Sequence, residues 1–140
     1  MKIKYFAIAL LISFSSCKNN TEDKLATITP GLGEYMAMIE YHHDNLSKAI
    51  NKQNYKRADY EIDELYEVFE ITEKVHNNHE KLKQPLNETL PGFMYAPLNL
   101  LRKQLKIKDS LAIKNQFKNV TINCNACHAA NGMEFIEIED

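Results

Sequence analysis

Cysteine and histidine side chains that could bind a cofactor stand together near the end of the sequence, as Cys124-Asn125-Ala126-Cys127-His128. In a helix, the thiols of a Cys-x-x-Cys pair lie about one turn apart, and the next residue places an imidazole beside them. This is the attachment signal for c-type haem, in which the thiols add across vinyl groups and the imidazole binds the iron. The motif therefore predicts one covalent haem c, with thioethers at Cys124 and Cys127 and His128 as the proximal iron ligand.

Two other uses of the same side chains are weaker. A thioredoxin-like dithiol needs a strand followed by a helix, whereas this motif comes late in a helical pattern. A zinc site on Cys124, Cys127 and His128 would need a fourth ligand, and no second cysteine pair supplies one. The remaining cysteine, Cys17, has a separate explanation, so no disulfide framework is expected.

The N-terminal residues resemble the export signal of a bacterial lipoprotein. A positively charged start precedes an apolar run over residues 5–12, which is too short to span a bilayer, and small residues come just before Cys17. We predict a signal peptide over residues 1–17, lipidation of Cys17 and a flexible tether over residues 18–30. The protein is expected in the periplasm, held at a membrane by its lipid, and Lys18 slightly favours the outer membrane. An ordinary signal peptide with an unmodified cysteine is the alternative.

The periodicity of apolar residues predicts four helices. The first covers residues 32–51, with an apolar seam at three- and four-residue spacing. The second covers residues 54–76 and carries acidic and basic residues on its outer face. A looser stretch is expected over residues 77–89.

The third helix is predicted from about residue 91 to residue 106, with either a later start or a kink at Pro97. The fourth begins after Asp109, a good N-cap, and ends near Asn131-Gly132. Because the helices are long and their connections short, we expect residues 31–140 to form an antiparallel up-down-up-down four-helix bundle. The motif would lie at the end of the bundle where the first and third helices start.

A helical bundle with Cys-x-x-Cys-His near its C-terminus is similar to the class II c-type cytochromes, the cytochrome c-prime type, over about residues 30–132. The resemblance implies a sixth iron position that is either filled by a methionine of the first helix or left open behind an apolar residue. Class II relatives are often dimers, so the resemblance also implies a possible homodimer. Class II proteins usually end soon after the motif, so residues 133–140 are a departure, and the sequence assigns them no role.

Met36 is the first choice for the sixth ligand, because it faces the seam of the first helix at the same depth as His128. Met94, at the start of the third helix, is second. His43 lies roughly 10 Å deeper, at about 1.5 Å rise per residue, and suits a hydrogen-bonded core position better. His76 is near the correct end but precedes a polar loop. Ordinary core packing is the alternative role for Met36.

A haem with both axial positions filled suits electron transfer with redox partner proteins of the periplasm. A five-coordinate, gas-binding or sensing haem protein is the alternative, and a haem-free helical lipoprotein with an interaction role is a third. The sequence shows no acid–base pair of the kind that catalysis needs, so we do not expect an enzyme. Basic and acidic residues are nearly balanced, 17 against 19, which argues against nucleic acid as a partner.

Overall fold

A computed structural model describes residues 29–139, and its regular structure is entirely helical, with no β-strand in that range. The predicted all-α class is therefore confirmed. The predicted signal peptide, Cys17 and most of the tether lie outside the described residues. The helices are α1 (Leu32–Asn51), α2 (Tyr55–His76), α3 (Leu86–Leu90), a π-helical segment (Pro91–Tyr95), α4 (Ala96–Ile107) and α5 (Ser110–Ala130).

The first two helices follow the predicted boundaries closely. α1 begins two residues after Pro30. The negative charge of Glu34, in the first turn, stabilises the helix because it lies near the positive end of the helix dipole. α2 is capped by Asn54, whose side-chain oxygen accepts a hydrogen bond from the Arg57 backbone N–H at 3.1 Å. Gln53, between the two helices, takes the left-handed conformation that a tight reversal requires.

The third helical stretch starts earlier than predicted, at Leu86 instead of near Pro91. α3, the π-helical segment and α4 follow one another without a break in helical backbone angles. In the π-helical segment the Ala96 N–H donates to the carbonyl of Pro91, one residue further back than in an α-helix. This wider turn accommodates Pro97, whose ring would clash with the carbonyl of Phe93 in a regular α-helix.

The fourth predicted helix, α5, has both of its expected ends. The Asp109 carboxylate accepts from the backbone N–H groups of Leu111 and Ala112, which caps the N-terminus. At the other end Asn131 is the C-cap, and Gly132 has a positive φ of 76°. Glycine takes that angle without the steric cost that other residues incur.

Packing between the helices is uneven. α1 packs along α2, the α4 and π-helical residues pack on α5, and α2 also contacts α3 and α4, whereas α1 and α5 touch only sparsely. Burial of each large aliphatic side chain in the shared core contributes about 1.5–3 kcal/mol. No helix within residues 29–139 combines the length and the hydrophobicity needed to cross a bilayer. The largest fully buried aliphatic side chains of the core are Leu46, Ile62, Leu65, Leu86, Leu98, Leu101, Ile113 and Val120.

Hydrogen bonds gather several helix ends at one end of the molecule. His76, at the end of α2, donates from Nε2 to the Pro30 carbonyl just before α1, at 2.9 Å. The Lys83 backbone N–H, in the loop after α2, donates to the Asn131 side-chain oxygen at the end of α5, at 2.8 Å. The cysteine and histidine motif in the last turns of α5 therefore lies beside the start of α1.

Candidate cofactor site

A cavity of about 600 Å³ lies at this end of the molecule and is lined from both α1 and α5, two helices that contact each other only sparsely. Its volume falls within the range of small-molecule and cofactor sites, roughly 300–1,000 Å³. The loop after α2 and the residues after α5 also line it. Its larger apolar side chains are Leu32, Met36, Ile39, Phe69, Leu82, Leu86, Leu90, Met94, Met133, Ile136 and Ile138.

The two motif cysteines line this cavity from α5. Both are free thiols: Cys124 is buried and Cys127 is half-buried. Burial, with a smaller contribution from the neighbouring Cys127, raises the pKa of the Cys124 thiol to about 12, and burial also raises the pKa of Cys127. Redox-active dithiols need a lowered thiol pKa. Burial therefore disfavours the thiolate form of both cysteines, the opposite of the shift that a redox-active dithiol shows.

His128 also lines the cavity, and a backbone group fixes its ring. Its Nδ1 lies 3.0 Å from the carbonyl oxygen of Ile136, which can only accept a hydrogen bond. Nδ1 therefore carries the proton, and in the neutral ring Nε2 keeps a free lone pair. A histidine that binds a metal through one ring nitrogen generally donates from the other in this way.

The four candidates for the sixth ligand lie in different surroundings. Met36 lines the cavity from α1 and is half-buried. Met94 lines it from the π-helical segment, and the Cys124 thiol donates to its sulfur at 3.9 Å.

The two histidine candidates already have close polar contacts. His43 reaches the deep end of the cavity, but its Nε2 lies 2.9 Å from the Thr121 hydroxyl. Its ring also stacks on Phe117 with centroids 4.8 Å apart. His76 is outside the cavity lining and donates to the Pro30 carbonyl. The cavity therefore brings Met36 and Met94 together with the motif and leaves His76 apart.

Two groups of lining residues had no role in the sequence interpretation. The loop after α2, interpreted as a polar connection, contributes His79, Lys81 and Leu82. The Asn131 side chain holds this loop near the motif, because it accepts from the Lys83 N–H and donates to the Cys127 carbonyl at 2.9 Å. The residues after α5 form the second group, and the alternation of apolar residues near Ile136 was the only signal for them.

The motif side chains that line this cavity are of the types that hold a c-type haem. Within residues 29–139, no group of three or more His, Cys, Asp and Glu side chains is arranged to hold a metal ion. Comparison with protein-family models, curated proteins and solved structures finds no match to the chain. An imidazole with a free Nε2, two thiols in register and a largely apolar cavity match what a covalently attached porphyrin requires.

Proposed function

We propose that the protein is an exported c-type cytochrome that carries one haem c and transfers electrons. The observation that carries this proposal is the cavity of about 600 Å³, which Cys124, Cys127 and His128 all line. When bound, the haem supplies one-electron exchange between ferric and ferrous iron. We further propose that the helices run antiparallel in an up-down-up-down bundle, with the haem near the C-terminus of α5 and the motif at the end where α1 starts.

In this proposal each motif side chain has one role. Cys124 and Cys127 would hold the porphyrin through thioether bonds, each thiol adding its sulfur and its hydrogen across one vinyl group. His128 would bind the iron through Nε2, because Nδ1 is engaged with the Ile136 carbonyl. The aliphatic side chains of α1 and α3 exclude water from the buried part of the site.

Met36 is the proposed sixth ligand. The Met94 sulfur already accepts from the Cys124 thiol at 3.9 Å and would pack beside the thioether bond of that cysteine. The Nε2 of His43 is engaged with Thr121, deep in the core. Met36 lines the cavity from the start of α1, close to the end of α5. Thioether ligation in an apolar site would favour ferrous iron and raise the reduction potential.

The location and partners belong to the same proposal. Lipidation of Cys17 would tether the domain to a membrane on the periplasmic side, with the outer membrane slightly favoured. Redox proteins of that compartment would be its electron donor and acceptor, and a homodimer is compatible with the class II resemblance. The proposal includes no enzymatic reaction and no nucleic-acid partner.

A pyridine haemochrome spectrum tests the haem directly. The full-length chain is expressed in a host with haem-attachment machinery, and we expect the absorbance of haem with two thioether bonds. The double variant Cys124→Ser and Cys127→Ser is expected to lose covalent haem. Cys17→Ser leaves the motif intact and is expected to keep it. A parent chain without covalent haem would contradict the proposal and favour a haem-free helical lipoprotein.

The methionines of α1 provide a matched test of the sixth ligand. We expect Met36→Ala to abolish the sulfur-to-iron charge-transfer band of the oxidised protein. Met38→Ala should leave that band unchanged, because Met38 lies two residues away and is 45% exposed. Loss of the band in Met94→Ala but not in Met36→Ala would contradict the assignment.

A five-coordinate haem protein that binds or senses gas is the alternative function. It is favoured by the apolar surroundings of Met36, because Leu32 and Ile39 also line the cavity from α1. If the Met36 sulfur did not bind the iron, these side chains could not replace it as a ligand, and the sixth position would be open. Carbon monoxide distinguishes the two functions. Fast, stoichiometric binding to the reduced parent protein would contradict the six-coordinate carrier, whereas slow binding that accelerates in M36A would support it.

A further inference from the structure

The residues after α5 turn back along that helix. The Gly132 N–H donates to the Ala129 carbonyl at 3.0 Å, and the Met133 N–H donates to the His128 carbonyl at 2.9 Å. With Gly132 in the left-handed region, these two bonds form a Schellman motif, which ends a helix and reverses the chain. The C-terminal segment (residues 133–139) therefore passes back over the last turns of α5.

One side chain inside the haem motif sets the position of this segment. Asn125 accepts from the Ile138 N–H at 2.8 Å through Oδ1 and donates from Nδ2 to the Ile138 carbonyl at 2.9 Å. An asparagine amide has both a donor and an acceptor, so it pairs with the backbone as a neighbouring strand would. Two hydrogen bonds to one residue fix the position of the segment along α5.

The segment so positioned places a carbonyl group at His128. Ile136 lies two residues before Ile138, and its carbonyl oxygen is 3.0 Å from the His128 Nδ1. Met133, Ile136 and Ile138 also line the cavity, so the same segment covers the cavity beside His128.

We propose that the C-terminal segment positions His128 for iron binding through Nε2, with the Ile136 carbonyl as the hydrogen-bond acceptor and Asn125 as the positioning residue. The inference rests on the proposed haem function and assigns a role to the residues that depart from the class II pattern. The acceptor keeps the ring in one tautomer and orientation and increases the basicity of the ligating nitrogen. A more basic imidazole stabilises ferric iron, so the hydrogen bond lowers the reduction potential.

The test compares two asparagines of α5. In Asn125→Ala both bonds to Ile138 are lost. Asn123→Ala is the matched control, because the Asn123 amide donates at 2.7 Å to Asn119 within the same helix. The full-length chains are purified with covalent haem, and haem content is measured first by pyridine haemochrome. NMR of the reduced proteins then follows exchange of the His128 Nδ1–H proton with water, and spectroelectrochemistry gives the midpoint potential.

For N125A we expect exchange of the Nδ1–H proton to be roughly tenfold faster or more, because two hydrogen bonds that hold the segment are lost. The midpoint potential should become more positive, while N123A should match the parent in both measurements. A chain that ends at Gly132 should show the faster exchange even more strongly.

An unchanged potential in N125A would overturn the proposal even if its melting temperature fell, because a purely structural segment would lower stability alone. A parent chain without covalent haem would overturn the proposed function together with this inference. Haem present in every variant, with N125A and N123A alike, would overturn the role of the C-terminal segment alone.

Discussion

Replacing Gly132 with alanine should destabilise the protein through backbone strain alone. Gly132 has a φ of 76°, in the region that favours glycine. A Cβ built at this position would lie 3.6 Å from Lys83 Nζ and 3.8 Å from Lys83 Cε, which is ordinary van der Waals contact. The substitution therefore adds no clash, and the expected effect comes from the left-handed conformation.

The left-handed conformation costs a residue with a Cβ roughly 1–2 kcal/mol. For a domain slightly above one hundred residues, each 1 kcal/mol lowers the melting temperature by about 3–6 °C. We therefore expect G132A to melt at least about 3 °C below the parent. The variant should also loosen the C-terminal segment, so the midpoint potential should rise as in N125A.

Gly92→Ala is the matched control, and its effect should have the opposite sign. Gly92 is exposed within the π-helical segment, and a Cβ at this position would meet no atom within 4 Å. Alanine stabilises a helix interior by roughly 0.5–1 kcal/mol relative to glycine, so G92A should melt higher. Thermal denaturation followed by circular dichroism measures both variants. If G132A melted with or above the parent, the strain argument would be refuted.

Two further predictions concern the core and the thiols. Thr121→Val should lower the free energy of unfolding by about 1–3 kcal/mol in urea denaturation, because it leaves the buried Nε2 of His43 without the hydroxyl at 2.9 Å. Thr72→Val, whose hydroxyl donates only to the Val68 carbonyl within its own helix, should cost much less, and equal losses would contradict this reasoning. In protein made without haem attachment, Cys124 should react with iodoacetamide more slowly than Cys127 at pH 8. Because its raised pKa is about 12, its rate should keep increasing as the pH rises toward that value, and a plateau near pH 9 would contradict the burial argument.

The boundaries of α1, α2 and α5 were predictable because local residues determine them. Pro30 comes just before α1, and Asn54 and Asp109 cap α2 and α5 with their own side chains. Each of these signals acts over a few residues, so a sequence displays it directly. The end of α5 at Asn131-Gly132 is of the same kind.

The start of the third helical stretch was predicted too late, because its N-terminal partner is distant in sequence. The Leu86 N–H donates to the Asn77 carbonyl at 3.0 Å, and the Asn87 N–H donates to the Asn77 side chain at 2.9 Å. Such a cap over a ten-residue gap leaves no local pattern. Proline is common in the first turn of a helix, so Pro91 indicates a start near residue 91, whereas the helix begins at Leu86.

Some features of the cofactor site could likewise be predicted from local sequence, and others could not. The motif itself was visible as adjacent letters, and Met36 follows from its place in a periodic seam. The contacts of Asn125 and His128 with residues 136–138 were not visible, because they depend on a chain reversal and on one amide paired with one backbone residue. Variable positions inside a motif carry no signal of their own in a single sequence.

The sparse contact between α1 and α5 bears on the order of events during biogenesis. Residues of both the first and the last helices of the described chain line the cavity, so it is complete only when distant parts of the sequence meet. Contacts between distant residues require the closure of long loops, and the entropy cost of that closure slows their formation. Under the proposed function, Cys124 and Cys127 would be most accessible to an attachment enzyme before the residues that cover them, such as Met94 beside Cys124, have packed on α5. A haem bound in this cavity would contact residues of both α1 and α5, and so would supply much of the contact that the two helices do not make with each other.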